Sequence, residues 1–255
     1  MTKEEYDKLI EEKRSFIRFE EEKEPDFESD QEAGLPMPPL FKEPSGGEEI
    51  PLPKNFEDLP IKTDFLDIIN SRRSERVYTK EPISLLELSY IIWCAQGVEE
   101  IRGDGYMTMR TVPSGGGRHG FELYFAAMRV DGLIPGIYHY LPQSDSVELI
   151  KEFSDTKEVV VSALDQKWVA KAPVMLYLTL IPSRNEWRYG PFAHRVALID
   201  AGHVGQNIYL ACTSIGLGTC GIAAFDNAAC SKLLNIDLNE EFVVYCGPCG
   251  HVRGK

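Results

Sequence analysis

Arg110-Thr111-Val112-Pro113-Ser114-Gly115-Gly116-Gly117-Arg118-His119-Gly120-Phe121-Glu122-Leu123-Tyr124 is the stretch whose reading decides the fold. Three adjacent glycines follow a Pro-Ser turn and run into an apolar strand. Glycine has no Cβ, so a backbone built of it can lie against a flat ligand. Upstream, Arg72-Arg73-Ser74-Glu75-Arg76 puts three guanidiniums and a hydroxyl into five residues. Arginine forks match phosphate oxygens bidentately. A ring-sized platform and a phosphate clamp in one chain point to a phosphorylated aromatic cofactor.

Outward from this stretch, the pattern gives a string of helices and strands. Asp64 starts a short helix that delivers the arginine cluster at its end. Ser84-Leu85-Leu86-Glu87 is a capping box, and Leu85, Leu88, Ile91, Ile92 and Ala95 follow at helical spacing, with Gly97 as a stop. Residues 98–109 read as a loop. Phe121–Val130 is apolar enough for a strand buried on both faces. Gly136–Tyr140 is a second strand, residues 155–170 suit a helix, and Pro173–Ile181 is a strong strand. Residues 182–192 read as a loop carrying Trp187, Arg188 and Tyr189. A long helix follows, about His194–Ile215. Its small residues Ala197, Ala201, Gly205 and Ala211 fit either a subunit interface or the centre of a large core. Glu241–Cys246 is a last strand before a glycine-rich, basic terminus. Helices and strands mix without strict alternation, so the expected class is α+β.

Charge separates the N-terminal part from the rest. Residues 1–60 hold 18 acidic and 8 basic residues and half of the 16 prolines. The other 195 residues hold 22 acidic and 19 basic, so the acidity of this net −13 chain belongs to its leader. The expected organisation is an acidic, Pro-rich arm over 1–60 and one domain over 61–255. Within the arm, Glu4–Phe19 fits a charged helix. Glu20–Pro60 fits an extended segment that either packs on the domain or stays solvated. No basic face invites nucleic acid. The charged N-terminus is not a signal peptide, and the apolar run Val196–Leu217 is interrupted by Asp200, His203, Gln206 and Asn207, unlike a membrane span. Six cysteines without a secretory context read as reduced thiols in a cytoplasmic protein.

Other motifs are weaker. Gly216-Leu217-Gly218-Thr219-Cys220-Gly221 has the Gly-x-Gly-x-x-Gly spacing of a dinucleotide site, but it follows a helix instead of a strand, so helix termination is the better reading. Cys246-Gly247-Pro248-Cys249 has the spacing of a redox dithiol but lacks room for the helix such chemistry uses. Ordinary turn cysteines are the default there. The five histidines show no metal-ligand spacing, so no metal site is expected.

Taken in order, these pieces resemble the nitroreductase-like flavoenzymes, and within them the SagB-type dehydrogenases, which include the azoline oxidases of peptide-heterocycle biosynthesis. The matching residues are Arg72-Arg73-Ser74-x-Arg76-x-Tyr78, Trp93-Cys94-Ala95-Gln96-Gly97, Arg110-Thr111-x-Pro113-Ser114-Gly115-Gly116, Glu122-Leu123-Tyr124 and Pro135-Gly136-x-Tyr138-x-Tyr140. Asp200-Ala201-Gly202-His203-x-Gly205-Gln206-Asn207, Gly216-Leu217-Gly218-Thr219-Cys220 and Gly247 complete the series over about residues 63–255. The resemblance implies a mixed sheet flanked by helices, FMN as cofactor, and a homodimer with each flavin at the subunit interface. It implies that Arg72, Arg73, Ser74 and Arg76 hold the phosphate and ribityl oxygens. Pro113, Ser114, Gly115 and Gly116 would line the isoalloxazine ring, Ala223 and Ala224 would approach it by backbone, and Arg253 and Lys255 would reach the phosphate. The activity implied is hydride transfer through flavin N5, with NAD(P)H or another donor and a small-molecule acceptor. Azoline-oxidising relatives pair a lysine with a tyrosine near the flavin, where this chain has Arg188-Tyr189. Arginine is a poor general base, which counts against azoline oxidation and leaves Tyr189 as the candidate proton donor. A flavin-binding protein without turnover is the alternative from outside the enzymes.

Overall fold

A computed structural model describes residues 1–18 and 27–253 of the chain. Seven strands form one sheet in the order β1 (Glu49–Pro51), β6 (Ser146–Glu152), β5 (Gly136–Leu141), β4 (Phe121–Ala127), β7 (Val174–Leu180), β9 (Phe242–His251) and β8 (Leu217–Thr219). A separate hairpin pairs β2 (Val98–Arg102) with β3 (Met107–Arg110). The helices are α1 (Lys3–Ile17), α2 (Phe65–Ser71), α3 (Leu85–Gln96), α4 (Lys157–Ser162), α5 (Ser183–Tyr189), α6 (Ala193–Ser214) and α7 (Asn227–Leu234). The α+β class holds. The expected mixed sheet does not, because every strand pair is antiparallel. Parallel pairing is confined to the isolated bridges Ser74–Thr219 and Ile83–Val130.

The period of two in β4 explains the layering. Phe121, Leu123, Phe125 and Ala127 join a core with Leu88, Ile91 and Ile92 of α3 and Ala197, Ala201, Val204 and Ile208 of α6. Tyr124 and Ala126 point the other way, into a core with Val159 of α4 and Cys230, Leu233 and Leu234 of α7. Burying both faces of β4 and β7 removes the alternation of apolar and polar residues that marks a half-exposed strand.

Several expectations are corrected. Residues 98–109 are the β2–β3 hairpin, turned by Gly103, Asp104 and Gly105, all with positive φ. Residues 182–192 contain helix α5, held by its buried Arg184, Asn185 and Trp187. The helix expected over 155–170 stops at Ser162, because Leu164 and Asp165 adopt φ of 52° and 60°. Ser84 and Glu87 form the expected capping box. Gly97 does end α3, but with φ −55°; its lack of a Cβ matters because one would lie 2.4 Å from the Trp93 ring. Cys246 and Cys249 lie in the middle of β9, both buried, not in a turn. Burial pushes the Cys246 thiol far above its ordinary range.

The arm segment from Phe27 to Pro60 packs against the sheet. β1 adds an edge strand beside β6. Lys42 donates to the Tyr124 hydroxyl at 2.8 Å and pairs with Glu241, and Ser45 N–H donates to Glu148 at 2.7 Å. Helix α1 buries none of its side chains. No helix among the described residues is long and apolar enough to cross a membrane.

Candidate functional site

Helix α6 organises the residues that the sequence singles out. At one end, the segment after α2 lies along edge strand β8, with Ser74 bridged to Thr219 and Glu75 N–H bonded to the Thr219 carbonyl at 2.9 Å. The Ser74 hydroxyl lies 2.9 Å from the hydroxyl of Tyr209 on α6, which accepts the Gly221 N–H at 2.8 Å. The Arg72 guanidinium sits 5.2 Å from the centre of the Tyr209 ring. Arg73 is turned back onto the carbonyls of Asn70 and Arg72. Arg76 lies 5.9 Å from the Trp168 ring; Trp168 donates to Gln166, and Gln166 donates to the Ala224 carbonyl at 3.0 Å. Arg72 and Ser74 therefore meet Tyr209 of α6, whereas Arg76 meets Trp168, which through Gln166 reaches the loop that holds Ala223 and Ala224. None of the three arginines forms a salt bridge among the described residues.

Asp200 of α6 anchors the glycine turn. Its carboxylate accepts the Ser114 hydroxyl at 2.8 Å and the Gly115 N–H at 3.0 and 3.2 Å. The Ser114 oxygen in turn accepts the His119 N–H at 2.9 Å. Burial pushes the Asp200 pKa up, and the bonds from Ser114 and Gly115 oppose that shift. Gly116 has φ +59°, a region other residues rarely adopt. A Cβ there would lie 2.6 Å from the Tyr189 hydroxyl and 2.7 Å from Arg188 Cδ; one on Gly115 would lie 2.3 Å from Val196. Missing Cβ atoms thus let α5 and α6 close onto the turn, with the Tyr189 ring against Gly115 and Gly116.

Position along α6 sets the relation of the two parts. Tyr209 and Asp200 are nine residues apart, about 13 Å along the axis and roughly half a turn around it. Within one chain, the arginine segment and the glycine turn occupy opposite flanks of the helix. Just before Asp200, α6 exposes Leu198 (53%) and Ile199 (57%), its exposed face continues through Gly202, His203 and Gln206, and neighbouring α2 exposes Phe65 and Leu66. Asp200 and Tyr209 carried no assigned role in the sequence pattern, where Asp200 stood as one of several polar residues, with His203, Gln206 and Asn207, in an apolar run.

Arg253 follows Val252, which is bridged to Tyr78. It lines a cavity of 740 Å³ with Tyr78, Thr79, Lys80, Arg129 and Lys171. Lys255 lies outside the described residues. No group of three or more His, Cys, Asp or Glu side chains close enough to hold a metal occurs among the described residues.

A buried charge network fixes α5, and with it Tyr189. Arg184 of α5 pairs with Glu122 of β4 at 2.6 Å. His139 of β5 joins Glu122 to Glu148 of β6, 3.0 Å from each. Burial alone raises the Glu122 pKa, but Arg184, His139 and Arg110 outweigh it and hold the group at about 2. The arm completes this side of the platform. Gln31 N–H donates to the Trp187 carbonyl, Trp187 donates to the Leu35 carbonyl, and the Phe27 ring packs on Gly190.

Known proteins share this fold. The sequence profile described as "Nitroreductase family" matches residues 69–251. The chain is 34% identical over 202 residues to "Putative nitroreductase MJ1384" of Methanocaldococcus jannaschii, an alignment covering 79% of this chain and 96% of the relative. It is 26% identical over 134 residues to the Microcin B17-processing protein McbC of Escherichia coli, covering half of this chain and 49% of that protein. In three dimensions it superposes on the E. coli microcin synthetase McbBCD complex bound to truncated pro-MccB17 with a TM-score of 0.60 at 20% identity, covering 82% of this chain and 79% of that one. With the profile spanning most of its length, the chain belongs to the Nitroreductase family and is an oxidoreductase of that family.

Proposed function

We propose that the protein is an FMN-dependent, SagB-type dehydrogenase that works as a homodimer, passing hydride between NAD(P)H or another donor and a small-molecule acceptor. The observation that carries this reading is the division of the site by α6. Arg72, Arg73 and Arg76, with no carboxylate partner among the described residues, sit at one end. The Asp200-anchored turn sits on the other flank, beside the exposed apolar stripe of Leu198 and Ile199. A second copy packed on that stripe would bring its own turn to the first copy's arginines. Each FMN would then lie between two chains.

The residues fit that cofactor. Several guanidiniums with the Ser74 and Tyr209 hydroxyls match a dianionic phosphate. Pro113, Ser114, Gly115 and Gly116 offer backbone without bulk for the ring, and Ala223 and Ala224 offer a second backbone approach. When bound, FMN supplies two-electron chemistry by taking up and giving back hydride at N5. The protein's part is to hold it, exclude water and manage a proton. Asp200 fixes the turn by charge-assisted bonds. A guanidinium is a poor general acid or base, so Tyr189, beside Gly116, is the side chain placed to donate a proton to substrate. We assign the catalytic unit to residues 61–255, with residues 1–60 as an arm whose segment Phe27–Leu35 walls the Tyr189 side. Six cysteines with no disulfide between them among the described residues fit a cytoplasmic setting.

Likeness to McbC favours a second reading, oxidation of azolines in a peptide. Arg188 in place of a titratable base opposes it. Screening the FMN-reconstituted protein with NADH and NADPH against nitroaromatic, quinone and azoline-peptide substrates tests both. Steady donor consumption with a small acceptor supports the dehydrogenase, and bound flavin without turnover contradicts it.

A further inference from the structure

Two guanidiniums meet at Tyr106, beside the glycine turn. Arg118 lies between the rings of Tyr106 and Trp187, 5.0 and 5.2 Å from their centres, and its Nη2 donates to the Tyr106 carbonyl at 2.5 Å. Arg188 Nη1 donates to the Tyr106 hydroxyl at 3.2 Å. Arg118 is 2% exposed, and its Nε has no hydrogen-bond partner. Neither arginine forms a salt bridge among the described residues.

Neighbouring acids are already engaged. Glu186 faces His194 at 2.7 Å, Asp200 holds Ser114 and Gly115, and Glu122 holds Arg184 and His139. His119, next in sequence to Arg118, stays neutral, because burial and then Arg110 lower its pKa to about 3. Burial, reinforced by Arg188, also pushes the Arg118 pKa down. Two like charges in a largely dehydrated wall, one with an orphaned donor, are stabilised by an incoming anion.

We propose that Arg188, backed by the buried charge of Arg118, binds a carboxylate or similar oxyanion on the substrate, making anionic molecules the preferred acceptors. Arg188 is the binding group: it is partly exposed, and its Cδ and Nε border Gly116. Its planar fork suits a carboxylate bidentately. Arg118 is a positioning residue, holding Tyr106 by its carbonyl and adding field. This inference rests on the reading of the glycine turn as the flavin platform.

The test uses the FMN-loaded protein and a matched pair of ligands, 4-nitrobenzoate and 4-nitrobenzamide, which differ in the carboxylate. Calorimetric titration is expected to show the acid binding at least about tenfold more tightly than the amide, equivalent to about 1.4 kcal/mol. The rate constants for reoxidation of dithionite-reduced enzyme by the two compounds should show the same ratio. Arg188→Gln should bring both ratios close to unity, and Arg188→Lys, a point charge without the fork, should restore part of the preference. Equal binding of acid and amide by the parent overturns the proposal, as does a preference that survives Arg188→Gln. If Arg188→Gln fails to fold, the parent and Arg188→Lys ratios decide. A lowered reduction potential of bound FMN in Arg188→Gln, with the preference retained, gives the charge to the cofactor and also overturns it. Reoxidation of the parent by the amide keeps the flavin reading intact whatever the ratio, so the two failures are distinguishable.

Discussion

Asp200, Gly116 and Tyr209 set the site at the residue scale. Asp200→Ala removes charge-assisted bonds to Ser114 and Gly115. Its expected effects are a stability loss of about 1.5–3 kcal/mol and an FMN affinity about tenfold weaker, read by thermal melting and flavin fluorescence titration. Gly116→Ala adds a Cβ against Tyr189 and Arg188 at a left-handed position. FMN affinity should fall by more than about tenfold, whereas an unchanged affinity would show that the turn lies away from the ring. The glycines were legible in the sequence because three in a row after Pro-Ser are rare without a backbone reason. Which neighbours required them was not legible: Val196 and Tyr189 come from other elements. Asp200 and Tyr209 were hidden for a similar reason, since a single polar residue on a helix acquires meaning only from what faces it. Cys246 and Cys249 misled in the other direction, because local spacing does not reveal burial in a strand.

At the scale of elements, hydrophobic period and capping chemistry were readable where they were strong. The cap of α3, strand β7 and the long helix α6 emerged within a few residues of their observed bounds. Short pieces held by tertiary contacts did not: β1, β8, the β2–β3 hairpin and α5 depend on partners distant in sequence. The Glu122–His139–Glu148 network is such a partner set, tying β4, β5 and β6 to α5 through Arg184 and to the arm through Ser45. Its titration gives a stability profile with two limbs. Glu122 is depressed from 4.5 to about 2, so its contribution is complete above pH 4.5 and is lost as pH falls toward 2. For His139, burial lowers the pKa but Glu122 and Glu148 outweigh it, raising the group above 6.5. That contribution is complete below pH 6.5 and is lost as pH rises through the raised value. Melting temperature should therefore be highest between pH 4.5 and 6.5. His139→Gln should flatten the alkaline limb and, by leaving two buried carboxylates short of a partner, destabilise by about 3–5 kcal/mol. An unaltered alkaline limb in that variant would remove His139 from the account.

Over the whole molecule, the fold class was visible in the sequence, whereas the arrangement of the sheet was not. An all-antiparallel order follows from long-range pairing, which no local pattern encodes. The acidic composition of the first 60 residues likewise left open the packing of the segment from Phe27 onward, which Lys42, Ser45, Phe27 and the pairing of β1 with β6 decide. The central claim concerns assembly: one flavin seat requires two copies joined along α6. Ile199 is exposed beside Asp200, and Ile199→Glu places a charge on the apolar stripe without touching the core. The decisive measurement is light scattering combined with flavin absorbance on FMN-reconstituted parent and Ile199→Glu proteins. The account predicts a dimer with one FMN per chain for the parent, and a folded monomer without retained flavin for the variant. A monomeric variant that holds FMN as tightly as the parent would contradict it.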